Sequence, residues 1–135
     1  MDWKHFLIAV LVSGIAASFA DWLFAGALFH AKYMAYPEVW RPSLLQGKDS
    51  GPIAWSVALG FMSVAAFLAS CEIFAIHGYA STIKFACLVW LMVPVPLTIT
   101  NALFMKIHPL IVMSHSLGWL AKLLIVALAA GWLLG

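Results

Sequence analysis

Four long apolar runs dominate the sequence and leave little choice of fold. They cover residues 6–29, 53–76, 82–105 and 109–134. Each is at least as long as the roughly 20 residues that an α-helix needs to cross about 30 Å of hydrocarbon. A membrane strand needs only about 10 residues and alternates polar with apolar side chains, a pattern that none of these runs shows. The sequence therefore predicts an all-α integral membrane four-helix bundle, with residues 1–135 forming a single domain.

The composition agrees with this prediction and excludes several classes of protein. Hydrophobic residues make up 65% of the chain and charged residues only 9%. A soluble domain carries about 25% charged residues, whereas a surface that faces lipid needs few. The formal net charge of +2 comes from scattered basic residues, so no nucleic acid is expected as a partner. The lipid bilayer is the expected partner.

The first apolar run has an alternative interpretation as a secretory signal peptide. Residues 1–5 would be the charged segment, residues 6–15 the apolar segment, and Ser18-Phe19-Ala20 the cleavage site. The apolar run continues well past Ala20. This length favours a membrane span.

The connection between the first two runs is rich in amphipathic aromatic residues. Tyr33, Tyr36 and Trp40 stand there beside Lys32 and Arg41. Such side chains favour the headgroup level of a bilayer. We therefore expect loop one to be an amphipathic segment that lies along the membrane surface.

Basic residues are distributed unequally between the two ends of the predicted bundle. The side that holds loops one and three carries Lys32, Arg41, Lys48 and Lys106, and the other side carries Lys4 and Lys84. The positive-inside rule then predicts that loops one and three are cytoplasmic.

Two prolines interrupt the third run near its middle. Pro94 and Pro96 each remove a backbone donor, so we expect helix three to be kinked there. Broken helices line the binding sites of many transporters, but a kink that serves packing alone is commoner.

Ionisable residues inside the apolar runs need an explanation, because each costs about 2.5–3.5 kcal/mol at membrane depth. Asp21 lies roughly 5 Å from the bilayer centre toward loop one, and Lys122 lies roughly at the centre. Helical side chains tilt toward the N-terminus of their helix, so Lys122 points toward the level of Asp21. We predict an ion pair between these two residues.

Further polar residues lie in the same half of the bundle, with Asn101 and His115 roughly 10 Å from the bilayer centre toward loop one. His115 lies on the same face of helix four as Lys122, with Gly118 between them allowing close approach, and helix three contributes Thr98 and Asn101. The candidate intramembrane polar cluster therefore consists of Asp21, Thr98, Asn101, His115 and Lys122. It either holds the helices together or forms a proton or ligand site.

The sequence predicts no metal site, no cofactor and no catalytic residue. Histidines at the ends of the runs lack the paired spacing of metal ligands. Cys71 and Cys87 stand inside apolar runs and are expected to behave as small hydrophobic residues. No nucleophile has a partnered base.

Three functions remain open, in the following order. The first is a structural, accessory or oligomer-forming membrane subunit that associates with a second copy or with another membrane protein. The second is a small proton-coupled transporter or channel that uses the Asp/His/Lys cluster. The third is an intramembrane enzyme that acts on a lipid or quinone, although the residues favour a non-enzymatic role. A hydrated or ligand-filled pocket lined by Asp21 and His115 would favour the second and third over the first.

Two stretches resemble a known type of membrane protein. They are DWLFAGALFHAKYMAYPEVWRP, residues 21–42, and HSLGWL, residues 115–120. Together they resemble a family of small four-span bacterial inner-membrane proteins of unknown function. The resemblance implies the same fold and a location in the bacterial inner membrane, and it implies no site residue.

Overall fold

The computed structural model describes residues 2–134 and contains four helical segments that are long and apolar enough to cross a membrane. Their bounds are Trp3–Leu28, Ser50–Ile73, Tyr79–Phe104 and Pro109–Leu133. The predicted all-α bundle is therefore confirmed. Three of the helices begin before the apolar runs do, because the helical backbone continues into polar flanking residues. Met1 and Gly135, the ends of the predicted domain, lie outside the described residues.

The first span begins with helix α1, Trp3–Asp21, and is capped by the side chain that precedes it. One carboxylate oxygen of Asp2 accepts a hydrogen bond from the Lys4 backbone N–H at 3.0 Å, and the other contacts Nδ1 of His5. The contact with His5 and the backbone bond lower the pKa of Asp2 below its usual value. The cap satisfies one of the free donors that every helix start exposes.

The second part of this span is a π-helix, Trp22–Leu28, that starts directly after Asp21. Phe29 donates its backbone N–H to the carbonyl of Phe24 at 3.1 Å, which is the five-residue bond of a π-helix. The rings of Phe24 and Phe29 lie parallel, with centroids 6.4 Å apart. The widened turn therefore changes which side chains of the span face its neighbours.

Loop one consists of three short helices that fold back onto the bundle. They are α2, His30–Met34, a 3₁₀ turn, Pro37–Val39, and α3, Pro42–Leu45. Trp40 donates its indole N–H to the Tyr33 carbonyl at 2.6 Å, and Tyr33 is buried. One of the residues expected as surface anchors thus packs inside the protein.

The remaining helices are α4, Ser50–Ile73, α5, Tyr79–Met92, α6, Pro94–Phe104, and α7, Pro109–Leu133. Helices α5 and α6 form the third span and are separated at Val93, directly before Pro94. The interruption lies where the prolines predict the kink. Because proline has no N–H and crowds the preceding turn, the backbone restarts as a new helix at that residue.

Helix α7 is the centre of the bundle. It packs against α1, α4, α5 and α6. Small residues on its inner face permit this, since Gly118, Ala127 and Ala130 are all buried. Helix α4 packs mainly on α1, where the ring of Phe61 lies directly over Gly14.

Candidate functional site

The predicted ion pair is present at the end of α1. Lys122 places its ammonium nitrogen 2.6 Å from Oδ2 of Asp21. The ammonium also lies 4.4 Å from the centre of the Trp119 ring, a distance that gives a cation–π interaction. Gly60 of α4 lies beside the ammonium, since a Cβ at that position would stand 3.8 Å from the nitrogen, an ordinary contact distance.

The two partners of this ion pair differ in exposure. The Lys122 side chain is 7% exposed, whereas the Asp21 side chain is 40% exposed. The lysine is therefore enclosed by protein, and the carboxylate faces open space. A carboxylate with that exposure remains accessible to a proton or to a bound molecule.

Asp21 faces a cavity of about 370 Å³ between α1, α4 and α7, which we call the inner cavity. The side chains that carry its chemistry come from these helices and from loop one: Asp21, Tyr33, Ser56, Ser63, Ser114, His115, Trp119 and Lys122. The close contact between Gly14 and Phe61 marks where α1 and α4 meet. Between that contact and loop one, the two helices leave space between them.

A second cavity of about 540 Å³, the lateral cavity, adjoins the first. The two share Asp21, Ala25, Tyr33, Ser56 and His115. Most of the additional lining is apolar and comes from the π-helix, loop one and α4: Trp22, Met34, Trp40, Leu44, Leu45, Pro52, Ile53 and Val57. Ser18, His30 and Asp49 add polar groups to it. A mostly apolar chamber therefore adjoins the polar residues that the two cavities share.

Loop one forms the cover of this site. Tyr33 donates its hydroxyl to Oγ of Ser114 at 3.3 Å, and its ring meets the His115 ring edge-on at 5.3 Å between centroids. Burial raises the pKa of Tyr33 above its usual value of 10.0, although the bond to Ser114 partly offsets this. Tyr33 thus contributes to the site by contacting α7, and the alternation of aromatic and basic residues in loop one does not by itself predict this contact.

Two members of the predicted cluster lie apart from the cavities. Thr98 donates its hydroxyl to the Pro94 carbonyl of its own helix at 2.7 Å. Asn101 is half-buried on α6 and lines neither cavity. The sequence places both residues in the same half of the bundle as Asp21, but depth does not fix the direction in which a helix faces. The structure brings together Asp21, His115 and Lys122, and adds Tyr33, Ser56 and Trp119.

The opposite end of the bundle holds another polar region. Asp2, His5, Glu72 and Trp132 line a cavity of about 390 Å³ there. Within residues 2–134, no group of three or more His, Cys, Asp or Glu side chains is placed to hold a metal ion. Cys71 and Cys87 are free thiols.

The fold and the site together define a multi-pass helical membrane protein with an ion pair at a cavity inside the bundle. The chain belongs to the family described as Protein of unknown function (DUF1761), whose model matches residues 8–131. This match confirms the resemblance to a family of unknown function. Comparison with curated proteins gave no match, and neither did comparison with solved structures.

Proposed function

We propose that this protein is a proton-coupled carrier that binds its substrate beside Asp21, Lys122 and His115. The observation that supports this most directly is the unequal burial of the ion pair. Lys122 is enclosed, and its partner Asp21 opens onto a cavity. A carboxylate in that position has two competing partners, the lysine and a proton.

Competition between these partners couples protonation to structure. When Asp21 takes up a proton, Lys122 loses its counter-charge while still enclosed, which costs several kcal/mol. The protein reduces that cost by moving α7 relative to α1 or by releasing the lysine proton. The π-helix that begins at Trp22 lies directly beside this pair, and π-helical turns often accompany functional sites.

The cavities favour a carrier over a packed scaffold. Polar residues that only hold helices together are expected to bury their polar groups against each other. Here Asp21, Tyr33 and His115 each line both cavities. A carrier or a channel needs such space.

Proton flux into proteoliposomes tests this proposal. Vesicles of a natural polar lipid extract are loaded with a pH-sensitive dye and given an inside-negative potential. Acidification should exceed that of protein-free vesicles, and Asp21→Asn should reduce it to the protein-free level. Glu38→Gln, which removes an exposed carboxylate of loop one, is the matched control and should behave as the wild type. Equal flux in Asp21→Asn and wild type would overturn the proposal.

A subunit of a larger membrane assembly is the second candidate function. Residues 50–59 of α4 are all exposed in the single chain. A helix segment that the rest of the chain leaves exposed is suited to packing against a second copy or another membrane protein. Native mass spectrometry from mild detergent tests this, because a monomer under conditions that retain bound lipid would argue against the assembly.

We also propose that the protein resides in the bacterial inner membrane with loops one and three in the cytoplasm. The excess of lysine and arginine on the loop-one side supports this orientation. Labelling of Lys48→Cys in intact cells by a membrane-impermeant maleimide tests it, in a background with Cys71 and Cys87 replaced. Labelling only after the membrane is opened is the expected result, and labelling in intact cells would reverse the orientation.

A further inference from the structure

We infer that the ligand of this site is a lipid-soluble molecule with an uncharged hydroxyl head group, and that it enters from the bilayer between α1 and α4. The inference rests on the proposed function, since it names the substrate class of the same site. Three features of the two cavities support it: their shape, the balance of charge at the polar end, and the open side of the lateral cavity.

The lateral cavity has the shape and lining of a site for an apolar chain. Its volume of about 540 Å³ is within the range of small-molecule sites. Apolar side chains from three separate parts of the chain make up most of its lining, among them Trp22, Leu44 and Ile53. Beyond the polar residues shared with the inner cavity, only Ser18, His30 and Asp49 add polar groups. Water gains little in such a space, whereas a hydrocarbon chain fills it favourably.

The polar end selects an uncharged head group. Lys122 already balances the charge of Asp21 at 2.6 Å, so a cation or an anion placed there would lack a counter-charge. The carboxylate of Asp21 accepts hydrogen bonds only, and the imidazole of His115 has one donor and one acceptor when neutral. A hydroxyl group satisfies both neighbours, because it donates to Asp21 and accepts from His115.

The position of the lateral cavity indicates entry from the side of the bundle. α1 and α4 form two of its walls, loop one covers it, and His115 of α7 stands behind. The third span does not line it. On the remaining side Trp22 is 57% exposed and Ile53 is 54% exposed. These side chains stand at the depth of the membrane spans, so that side faces lipid.

Photo-crosslinking tests the ligand class directly. The probe is hexadecanol with a diazirine on its chain, added to the full-length protein in lipid nanodiscs. Labelled peptides should map to residues 18–34 and 52–57. A probe with a methyl ether in place of the hydroxyl should label about tenfold less, the loss expected for one hydrogen bond. Probes with a carboxylate or trimethylammonium head should also label weakly.

Two variants of adjacent residues show whether the chain occupies the lateral cavity. Val57→Trp fills the cavity from its α4 wall and should abolish labelling. Ala58→Trp places the same side chain on the next residue, which is exposed and lines neither cavity, and should leave labelling unchanged. Equal labelling by all probes, or equal loss in both variants, would overturn the inference.

The same experiments separate this inference from the proposed function. Competition by dioleoylglycerol would identify a bilayer lipid as the source of the hydroxyl, and competition by a long-chain quinol would identify a redox carrier. If neither competes, the inference fails. Proton flux is measured in the same preparations. Flux that depends on Asp21, without selective labelling, would support the proposed carrier function and reject the proposed ligand class. Selective labelling without flux would support the ligand class and reject the carrier function.

Discussion

Lys122 keeps its side chain at the middle of an apolar helix because two groups contact its ammonium. Asp21 supplies a negative charge, and Trp119 supplies the face of its ring. Each of these compensates for part of the water that the ammonium has lost. Removing the carboxylate therefore leaves a buried charge that has only weak compensation.

A double-mutant cycle on the pair measures this dependence. We expect Asp21→Asn to lower the free energy of unfolding by roughly 3 kcal/mol, the low end of the range for a broken buried pair, because Asp21 is partly exposed. Lys122→Met should cost less, since its partner can still be hydrated, and the double variant should be more stable than the sum of the single effects predicts. Unfolding in mixed detergent and dodecyl sulfate micelles gives the values. Additive effects would show that the two residues do not interact.

Tyr33 gives a second prediction at the residue scale, on the dependence of stability on pH. Burial raises its pKa in the folded protein above the value of 10.0 for an exposed tyrosine. The phenol in the unfolded chain therefore loses its proton first, so its contribution to stability is complete below pH 10 and is lost as the pH rises toward the folded pKa.

Absorbance of tyrosinate at 295 nm, compared between wild type and Tyr33→Phe, isolates this titration. The difference should appear above pH 10, together with the fall in stability. Tyr36→Phe is the control, because Tyr36 is exposed. A titration of Tyr33 at or below the ordinary value would contradict the prediction.

At the scale of elements, the sequence predicts the spans and the proline break, because both depend on composition. It does not predict the π-helix, whose residues carry no such signal. The four spans follow from uninterrupted apolar length, and the break at Val93 follows from Pro94. The π-helix at Trp22–Leu28 has no comparable signal, because the same residues suit an ordinary helix equally well. Within it, Phe24 lies over Gly118 of α7.

The close approach of α5 and α7 at Gly131 predicts that a larger residue there destabilises the protein. A Cβ on Gly131 would stand 2.6 Å from Cδ1 of Tyr79 and 3.0 Å from its backbone Cα. Since the backbone cannot move aside as a flexible side chain does, Gly131→Ala should destabilise the protein by about 1–3 kcal/mol. Gly51→Ala is the matched control. Nothing lies within 4 Å of that Cβ, so the protein should be unchanged or slightly more stable. Thermal unfolding in detergent compares the two variants.

At the scale of the whole molecule, the hydropathy of the sequence does not predict which helices pack against each other. Hydropathy gives the spans and their depths, but four lipid-compatible helices can be arranged around one another in several ways. The arrangement with α7 in the centre decides which polar residues meet. For that reason Asp21, His115 and Lys122 share a cavity, whereas Thr98 and Asn101, at matching depth on α6, lie apart from it.

A disulfide between the π-helix of the first span and α7 tests this arrangement. The distance from the Phe24 Cβ to a Cβ placed on Gly118 is 3.7 Å, within the range of about 3.5–4.5 Å that a disulfide requires. In a background without Cys71 and Cys87, the variant Phe24→Cys/Gly118→Cys should therefore form an internal disulfide on mild oxidation. Trp22→Cys/Gly118→Cys is the control at similar depth, and it should remain reduced because Trp22 is exposed. Both pairs crosslinking at the same rate would mean that the first span rotates freely against α7, and the Asp21–Lys122 pair could not then persist.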